Sequence, residues 1–268
     1  MFPLTDPSYL QNIQYKTSAN LGARASLHVR FRTNPEGWMR WAFDQLDLRV
    51  GMRLLEVGGG PGWLWRENRD RLPPGLRLTL SDFSPGMARE ARSALVGAAH
   101  FVFVNLDAQA APFPAACFDL VIANHMLYHV PDLPRAVREL ARLLKKDGRL
   151  CAATNGVRHM QELDRLAREF DLRCAPEVKP EMSFRLENAA EALRRDFARV
   201  EIRRYPDALW VTEARPLADY VYSGWRGHIG ILTPERRGEL EKFIQSKIDA
   251  DGGVGITKDV GMAIGYLE

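Results

Sequence analysis

Cysteine is scarce: Cys117, Cys151 and Cys174 are the only three in 268 residues. An odd number cannot pair completely within one chain, and the spacing matches no zinc pattern. The thiols therefore read as reduced groups of a cytoplasmic protein without a metal site. Long apolar runs are missing too. None reaches the ~18 residues of a membrane-spanning helix, so no membrane partner is expected. The opening MFPLTDPSYL carries Asp6 early and lacks a basic stretch with an apolar one behind it, which argues against a secretory signal. Lysine supplies only seven of the 37 basic residues, and the net charge is just +3. A surplus that small, with a pI of about 8.8, gives little ground for docking to nucleic acid, and none is expected as a partner. Repeats and low-complexity tracts are absent. What is present is ordinary for a globular chain: 46% hydrophobic and 26% charged residues. A chain this long buries roughly three quarters of its unfolded surface, so it needs no staples.

From residue 51 to 155, short apolar runs alternate with stretches of helical spacing. RLLEV (53–57), LRLTL (76–80), HFVFV (100–104), FDLVIAN (118–124) and GRLCAAT (148–154) read as strands. Helices are predicted over 62–72, 84–96 and 132–145, with Gly and Pro at the joins. Strands apolar on both faces are covered on both faces. The alternation predicts βαβ units, a doubly wound parallel α/β sheet and a ligand site beyond the carboxyl ends of the strands. Residues 1–50 read as a helical arm. A helix is predicted from Glu36 to Leu48, with Asn34 as its N-cap, Pro35 in its first turn, and Trp38, Trp41 and Phe43 as anchors on the sheet. From 156 to 268 the alternation stops. Helices are predicted over 159–172, 187–197, 215–226 and 234–250, and extended chain at VEIRRY (200–205), ALWVT (208–212) and the Gly-rich tail. This pattern predicts an antiparallel hairpin at the sheet edge carrying an inserted helical cap.

The first strand runs into Glu56-Val57-Gly58-Gly59-Gly60-Pro61-Gly62. Glycines here let backbone approach a ligand closely. A dinucleotide loop needs a further glycine where Trp63 stands. Glu56 beside the loop would repel a pyrophosphate and favour an ammonium or sulfonium. At 4 Å and an effective dielectric of 20, opposite unit charges gain on the order of 4 kcal/mol. The second strand ends at Asp82, placed to accept from two ribose hydroxyls, although an acid favoured at a helix start would look the same. Ser84 and Pro85 suit the cap and first position of the next helix. Phe83 and Met87 stand beside this tip, and Met87 suits either an adenine face or the helix core. After the third strand, the Asp107 carboxylate suits an exocyclic amine, with Ala108 next to it. The fourth strand ends at Asn124, followed by His125, Tyr128 and His129.

These motifs, in order and at strand-tip spacing, resemble class I S-adenosylmethionine-dependent methyltransferases over residues 50–155. Glu56 to Gly62 is similar to their first motif and Asp82-Phe83-Ser84-Pro85-Gly86-Met87 to their second. Asp107, Ala111 to Pro114, Phe118 to Val121 and His129-Val130-Pro131-Asp132 resemble the ubiquinone/menaquinone-biosynthesis type, methyltransferase type 11. Leu143 to Leu150 resembles the approach to the fifth strand, with Lys146-Asp147 where the family often has Pro-Gly or Gly-Gly. The resemblance implies a seven-stranded Rossmann-like sheet of order 3-2-1-4-5-7-6 with the last strand antiparallel. It implies Glu56 at the methionine amino group, Gly58 and Gly60 at the methionyl and ribose portions, Asp82 at the ribose, Asp107 at the adenine and Asn124 near the sulfonium. S-adenosylhomocysteine would be the product.

The expected reaction is in-line methyl transfer to a small-molecule acceptor, with specificity carried by residues 156–268. His125 and His129 are the candidate catalytic groups, although His129 reads more readily as a histidine bonded to backbone. Tyr15 and His28 of the arm are candidate lid contacts. Tyr220, Tyr222, Trp225 and His228 form an aromatic group suited to an apolar acceptor or to packing within the cap. Lys258-Asp259 reads as a turn. An NAD-dependent oxidoreductase, a methyltransferase acting on nucleic acid or protein, and a non-catalytic cofactor-binding module are the competing readings. Neither the acceptor nor the oligomeric state is legible.

Overall fold

A computed structural model describes residues 5–97, 101–174, 182–223 and 230–267. Among these residues, nine strands form two sheets. They are β1 (Arg53–Glu56), β2 (Arg77–Asp82), β3 (Phe101–Asn105), β4 (Phe118–Ile122), β5 (Leu144–Asn155), β6 (Arg199–Arg204), β7 (Asp207–Val211), β8 (Val254–Lys258) and β9 (Val260–Tyr266). The large sheet runs β3-β2-β1-β4-β5-β9-β6. With β9 as the seventh strand of that sheet, this is the order 3-2-1-4-5-7-6. The strands β1 to β5 pair parallel, whereas β9 lies antiparallel between β5 and β6. The order reverses between β1 and β4, which opens a crevice at their carboxyl ends.

The helices are α1 (Pro7–Tyr9), α2 (Ala19–Phe31), α3 (Trp38–Asp44), α4 (Trp63–Glu67), α5 (Pro85–Ala94), α6 (Leu133–Leu143), α7 (Gln161–Phe170), α8 (Ala189–Leu193), α9 (Ala214–Tyr222) and α10 (Pro234–Asp251). Successive strand residues point to opposite faces, and both faces of β1 are buried. Leu55 packs with Val121, Leu150, Val137 and Leu140 on the α6 side. Leu54 packs with Leu120, Leu64, Trp65 and Phe43 on the side of α3, α4 and α5. Each such leucine contributes about 1.5–3 kcal/mol by leaving water. A third core joins the arm to the late helices through Leu27, Phe31, Leu163, Val211, Leu217 and Ile244.

The expected hairpin is present as β6 and β9, and residues 205–259 between them hold α9, α10 and the small sheet. ALWVT is extended but stays out of the large sheet, pairing instead with β8 as an antiparallel ladder. Ser84 caps α5 by accepting from the Met87 N–H, with Pro85 as the first helical residue. The expectation for Asn34 and Pro35 fails. Helix α3 starts later, at Trp38, behind an extended Gly37. Asn34 closes its own turn by accepting from Glu36 N–H at 2.9 Å, while its Nδ2 donates to the Pro206 carbonyl at 2.8 Å. Asp207 accepts from the Thr33 and Asn34 N–H groups. These tertiary bonds to β7 fix Asn34 away from the cap position that its local chemistry would fill. No helix among the described residues is long and apolar enough to cross a membrane.

Candidate functional site

A cavity of about 450 Å³ lies at the carboxyl ends of β1, β2 and β4, walled by the arm on one side and by the insert on another. The thirteen residues expected to bind the cofactor, act in catalysis or form the lid all line it: Tyr15, His28, Glu56, Gly58, Gly60, Asp82, Phe83, Met87, Asp107, Ala108, Asn124, His125 and His129.

The loop after β1 turns back through left-handed backbone at Gly58 (φ +64°) and Gly60 (φ +56°). That region strains any residue with a side chain. At Gly58 a Cβ would also stand 2.7 Å from the Met126 Cβ, so the loop can pass this close only as glycine. Asp82 ties this loop to the next. Gly60 N–H donates to one of its carboxylate oxygens at 2.9 Å and Ser84 N–H to the other at 2.7 Å. Each oxygen keeps a lone pair for a further donor. Burial pushes the Asp82 carboxyl up to about 6, against the pull of these two bonds.

Glu56 is buried at the end of β1. The Trp65 indole N–H donates to it at 2.5 Å, and the Asn124 side chain also bonds it. Burial outweighs both bonds and raises the carboxyl to about 7, helped by the neighbouring Asp82 charge. With the Asn124 amide nitrogen on Glu56, its carbonyl oxygen is left buried and without a hydrogen-bond partner among the described residues. An unmet buried acceptor costs about 1–3 kcal/mol. Asp107 is less available. Its carboxylate closes a turn by accepting from the N–H and the side-chain amide of Gln109, between 2.8 and 3.1 Å. Trp63, standing where a dinucleotide loop needs glycine, opens α4 and lines the cavity.

Past Asn124 the chain again takes left-handed backbone, at His125 (φ +54°). For a residue other than glycine this costs roughly 1–3 kcal/mol. The His125 N–H donates to the Ala153 carbonyl at 2.9 Å, which holds the turn. The His125 ring packs 5.2 Å from that of Trp38. Burial, with Lys258 and His129 nearby, lowers His125 to about 4. It is neutral at physiological pH.

His129 Nε2 lies 2.9 Å from the Tyr15 hydroxyl. Arg24 of α2 also bonds that hydroxyl. A guanidinium can only donate, so the tyrosine oxygen accepts from Arg24 while the same hydroxyl shares a hydrogen bond with His129 Nε2. The Tyr15 carbonyl accepts from Ser84 Oγ at 2.8 Å, and Gln11 Nε2 donates to the Phe83 carbonyl at 2.9 Å. The arm is thereby tied to the β2 tip.

Sequence reasoning missed part of the wall. Arg24 and His159 line the cavity beside Tyr128 and Tyr220, which the sequence had named, as does Lys258, which was expected to be only a turn. Lys258 reaches the buried Asp207 at 2.6 Å, while Asp259 pairs with Arg204. Tyr220 stands edge-on to His28 at 5.8 Å, and both Tyr220 and Tyr222 pack against the third core. Trp225 and His228 lie outside the described residues. Among the described residues, no group of three or more His, Cys, Asp or Glu is arranged to hold a metal ion.

Comparison with known proteins finds a family similar to the central part of the chain. Residues 55–152 match the family described as "Methyltransferase domain". The ubiquinone/menaquinone biosynthesis C-methyltransferase UbiE of Hahella chejuensis is 32% identical over 116 residues, covering 42% of this chain and 47% of that protein. The chain spans about half to two thirds of the length of the curated relatives it matches. Among solved structures, Haemonchus contortus phosphoethanolamine N-methyltransferase 2 in complex with S-adenosyl-L-methionine superposes with a TM-score of 0.60 at 18% identity, covering 100% of this chain and 60% of that one. The [4+2]-cyclase SpnF superposes with a TM-score of 0.58 at 20% identity, covering 96% of this chain and 93% of that one. These two structures share the fold. Residues 55–152 thus match a methyltransferase domain, within a sheet whose strand order is the one expected of class I S-adenosylmethionine-dependent enzymes.

Proposed function

We propose that this protein transfers a methyl group from S-adenosylmethionine to a small-molecule acceptor. The observation that carries this reading is the pair Glu56 and Asn124. A buried carboxylate and an unmatched amide oxygen stand side by side where the sheet order reverses. Both are acceptors, and together they suit an ammonium group. Asp82 adds two carboxylate oxygens for ribose hydroxyls, and Gly58 and Gly60 offer backbone without side chains. Met87, Phe83 and Ala108 supply apolar surface for a base, and Asp107 lies within the same wall. The donor, when bound, supplies a methyl group on positively charged sulfur and leaves as S-adenosylhomocysteine.

Alignment of donor and acceptor is the protein's largest task and can contribute about 7–11 kcal/mol. In this reading His125 faces the acceptor. Being neutral, it can take a proton wherever the acceptor must lose one. His129 positions Tyr15 rather than meeting the acceptor, since its Nε2 is already bonded to the tyrosine hydroxyl. The arm (residues 1–50) covers the donor, residues 51–155 bind it, and residues 156–268 complete the sheet and enclose the acceptor. A cavity of about 450 Å³ walled on several sides suits a small molecule better than a nucleic acid or a protein.

Calorimetry tests the reading. The purified protein should bind S-adenosylhomocysteine and should ignore NADH. Binding of NADH without S-adenosylhomocysteine would replace it with the oxidoreductase reading.

A further inference from the structure

His28, in the last turn of α2, carries a nitrogen that the protein itself does not meet. Its Nδ1 is buried and has no hydrogen-bond partner among the described residues, and the residue lines the cavity. The ring stacks on His159 at 6.0 Å and meets the edge of Tyr220 at 5.8 Å. Both neighbours belong to residues 156–268, the part assigned above to the acceptor. The carboxylates that line the cavity among the described residues are Glu56, Glu67, Asp82 and Asp107, all within residues 51–155. His28 thus lies with the acceptor half of the site and not with the donor loops.

The cations that line this half are already engaged. Lys258 pairs with Asp207 at 2.6 Å, Arg24 bonds the Tyr15 hydroxyl, and Arg32 donates to the Pro35 carbonyl at 3.5 Å. An anion entering here would compete with Asp207 for Lys258, and a cation would meet no lining carboxylate from residues 156–268. A charged group would therefore leave water for little return. Burial, followed by the charges of Lys258, His159, His125 and Arg24, holds His28 well below its ordinary value, so it is neutral. A neutral imidazole nitrogen either accepts or donates one hydrogen bond, according to the tautomer. A hydroxyl does both, so it satisfies Nδ1 in either tautomer, whereas a ketone or an amide N–H satisfies it in only one.

We infer that the acceptor is an uncharged, apolar-bodied molecule carrying a hydroxyl, and that His28 selects it by bonding that hydroxyl through Nδ1. Trp38, Tyr128 and Tyr220 line the cavity and give the apolar body its surface. The inference rests on the reading of the site as a donor half and an acceptor half. His28 determines specificity in it, and His125 keeps the role assigned above. A molecule with the same body and no hydroxyl would fill the space and leave Nδ1 buried and unmet. A site built to hydrogen-bond a substrate group rejects such an analogue far more strongly than an apolar pocket can.

The test is a calorimetric series on the full chain saturated with S-adenosylhomocysteine, using benzyl alcohol, toluene, benzylamine and benzoate. The four share a benzene ring and differ in the group offered to His28. Benzyl alcohol should bind about fivefold or more tighter than each of the others, as the penalty for an unmet buried group predicts. His28→Leu should bring benzyl alcohol and toluene to within about twofold of each other. His28→Asn, whose amide can stand at the Nδ1 position, should keep most of the preference. Toluene binding as tightly as the alcohol, either charged probe binding more tightly, or no measurable binding of the alcohol would overturn the proposal. So would a preference that survives His28→Leu. A preference seen without S-adenosylhomocysteine that vanishes at saturation would also overturn it, because His28 would then meet the donor. Failure to bind S-adenosylhomocysteine, with the alcohol preference and its loss in His28→Leu intact, would remove the donor reading and leave the His28 site standing.

Discussion

The Asp82 carboxylate holds the Gly60 N–H at 2.9 Å, so one side chain fixes the spacing between the two loops that face the cavity. Asp82→Ala therefore removes more than a ligand contact. It also frees the Gly60 and Ser84 N–H groups. S-adenosylhomocysteine affinity should fall by about 1.5–3 kcal/mol, roughly ten- to a hundredfold. Calorimetry checks this, and an unchanged dissociation constant would take Asp82 out of the site.

The two acids at the strand tips make donor binding pH-dependent. Glu56 is raised to about 7 and Asp82 to about 6, so the folded protein favours their neutral forms. Their contribution to stability is fully present below ordinary carboxylate values and is lost as pH rises through about 6 and then about 7. The ligand-free protein should thus melt at a lower temperature at pH 8 than at pH 5.5, with Glu56→Gln flattening the upper part of that slope. A cationic donor reverses the preference. Its binding should release protons near pH 6.5 and tighten by about tenfold or more between pH 5.5 and 8. Calorimetry in buffers of different ionisation enthalpy counts the protons.

His125→Gln should lower turnover on an identified acceptor while leaving S-adenosylhomocysteine affinity within about twofold, because the ring contacts Trp38 rather than the loops after β1 and β2. With its value near 4, His125 should leave the rate level from pH 6 to 9. A rate that climbs through a value near 6.5 would assign the base elsewhere.

Tyr15→Phe deletes the hydroxyl that joins Arg24 to His129 and should weaken closure of the arm by about 0.5–1.5 kcal/mol. The readout is hydrogen exchange, where amides of residues 7–15 should exchange several times faster while those of β1 and β4 stay protected.

Lys258→Met strands the Asp207 carboxylate, which is 0% exposed, and should cost about 3–5 kcal/mol of stability. Thermal melts check this, and adding Asp207→Leu should recover part of the loss.

The parallel half of the fold was legible because its strands are apolar on both faces and its loops carry glycine at the turns. The thirteen expected residues share one cavity because each follows a strand tip or belongs to the arm above those tips. The other wall was not legible. Arg24 is one arginine among many on a helix of ordinary spacing, and only the seating of α2 over the sheet reveals what it faces. Lys258 reads locally as a turn residue, and its role depends on Asp207, paired across the β7–β8 ladder. Asn34 failed for the same reason, since a local cap preference of about 1 kcal/mol was outcompeted by hydrogen bonds to β7 and its approach.

Residues 205–259 depart from β6 and return to β9 at neighbouring positions, where the Tyr205 N–H donates to the Val260 carbonyl at 2.9 Å. Chain that leaves and rejoins a scaffold at one bonded junction can be exchanged without recutting the scaffold. The insert is therefore a natural cassette. Grafting it between the matching strands of another protein with this sheet should transplant the part of the cavity wall made by Tyr220 and Lys258 and leave the loops after β1 and β2 with the host.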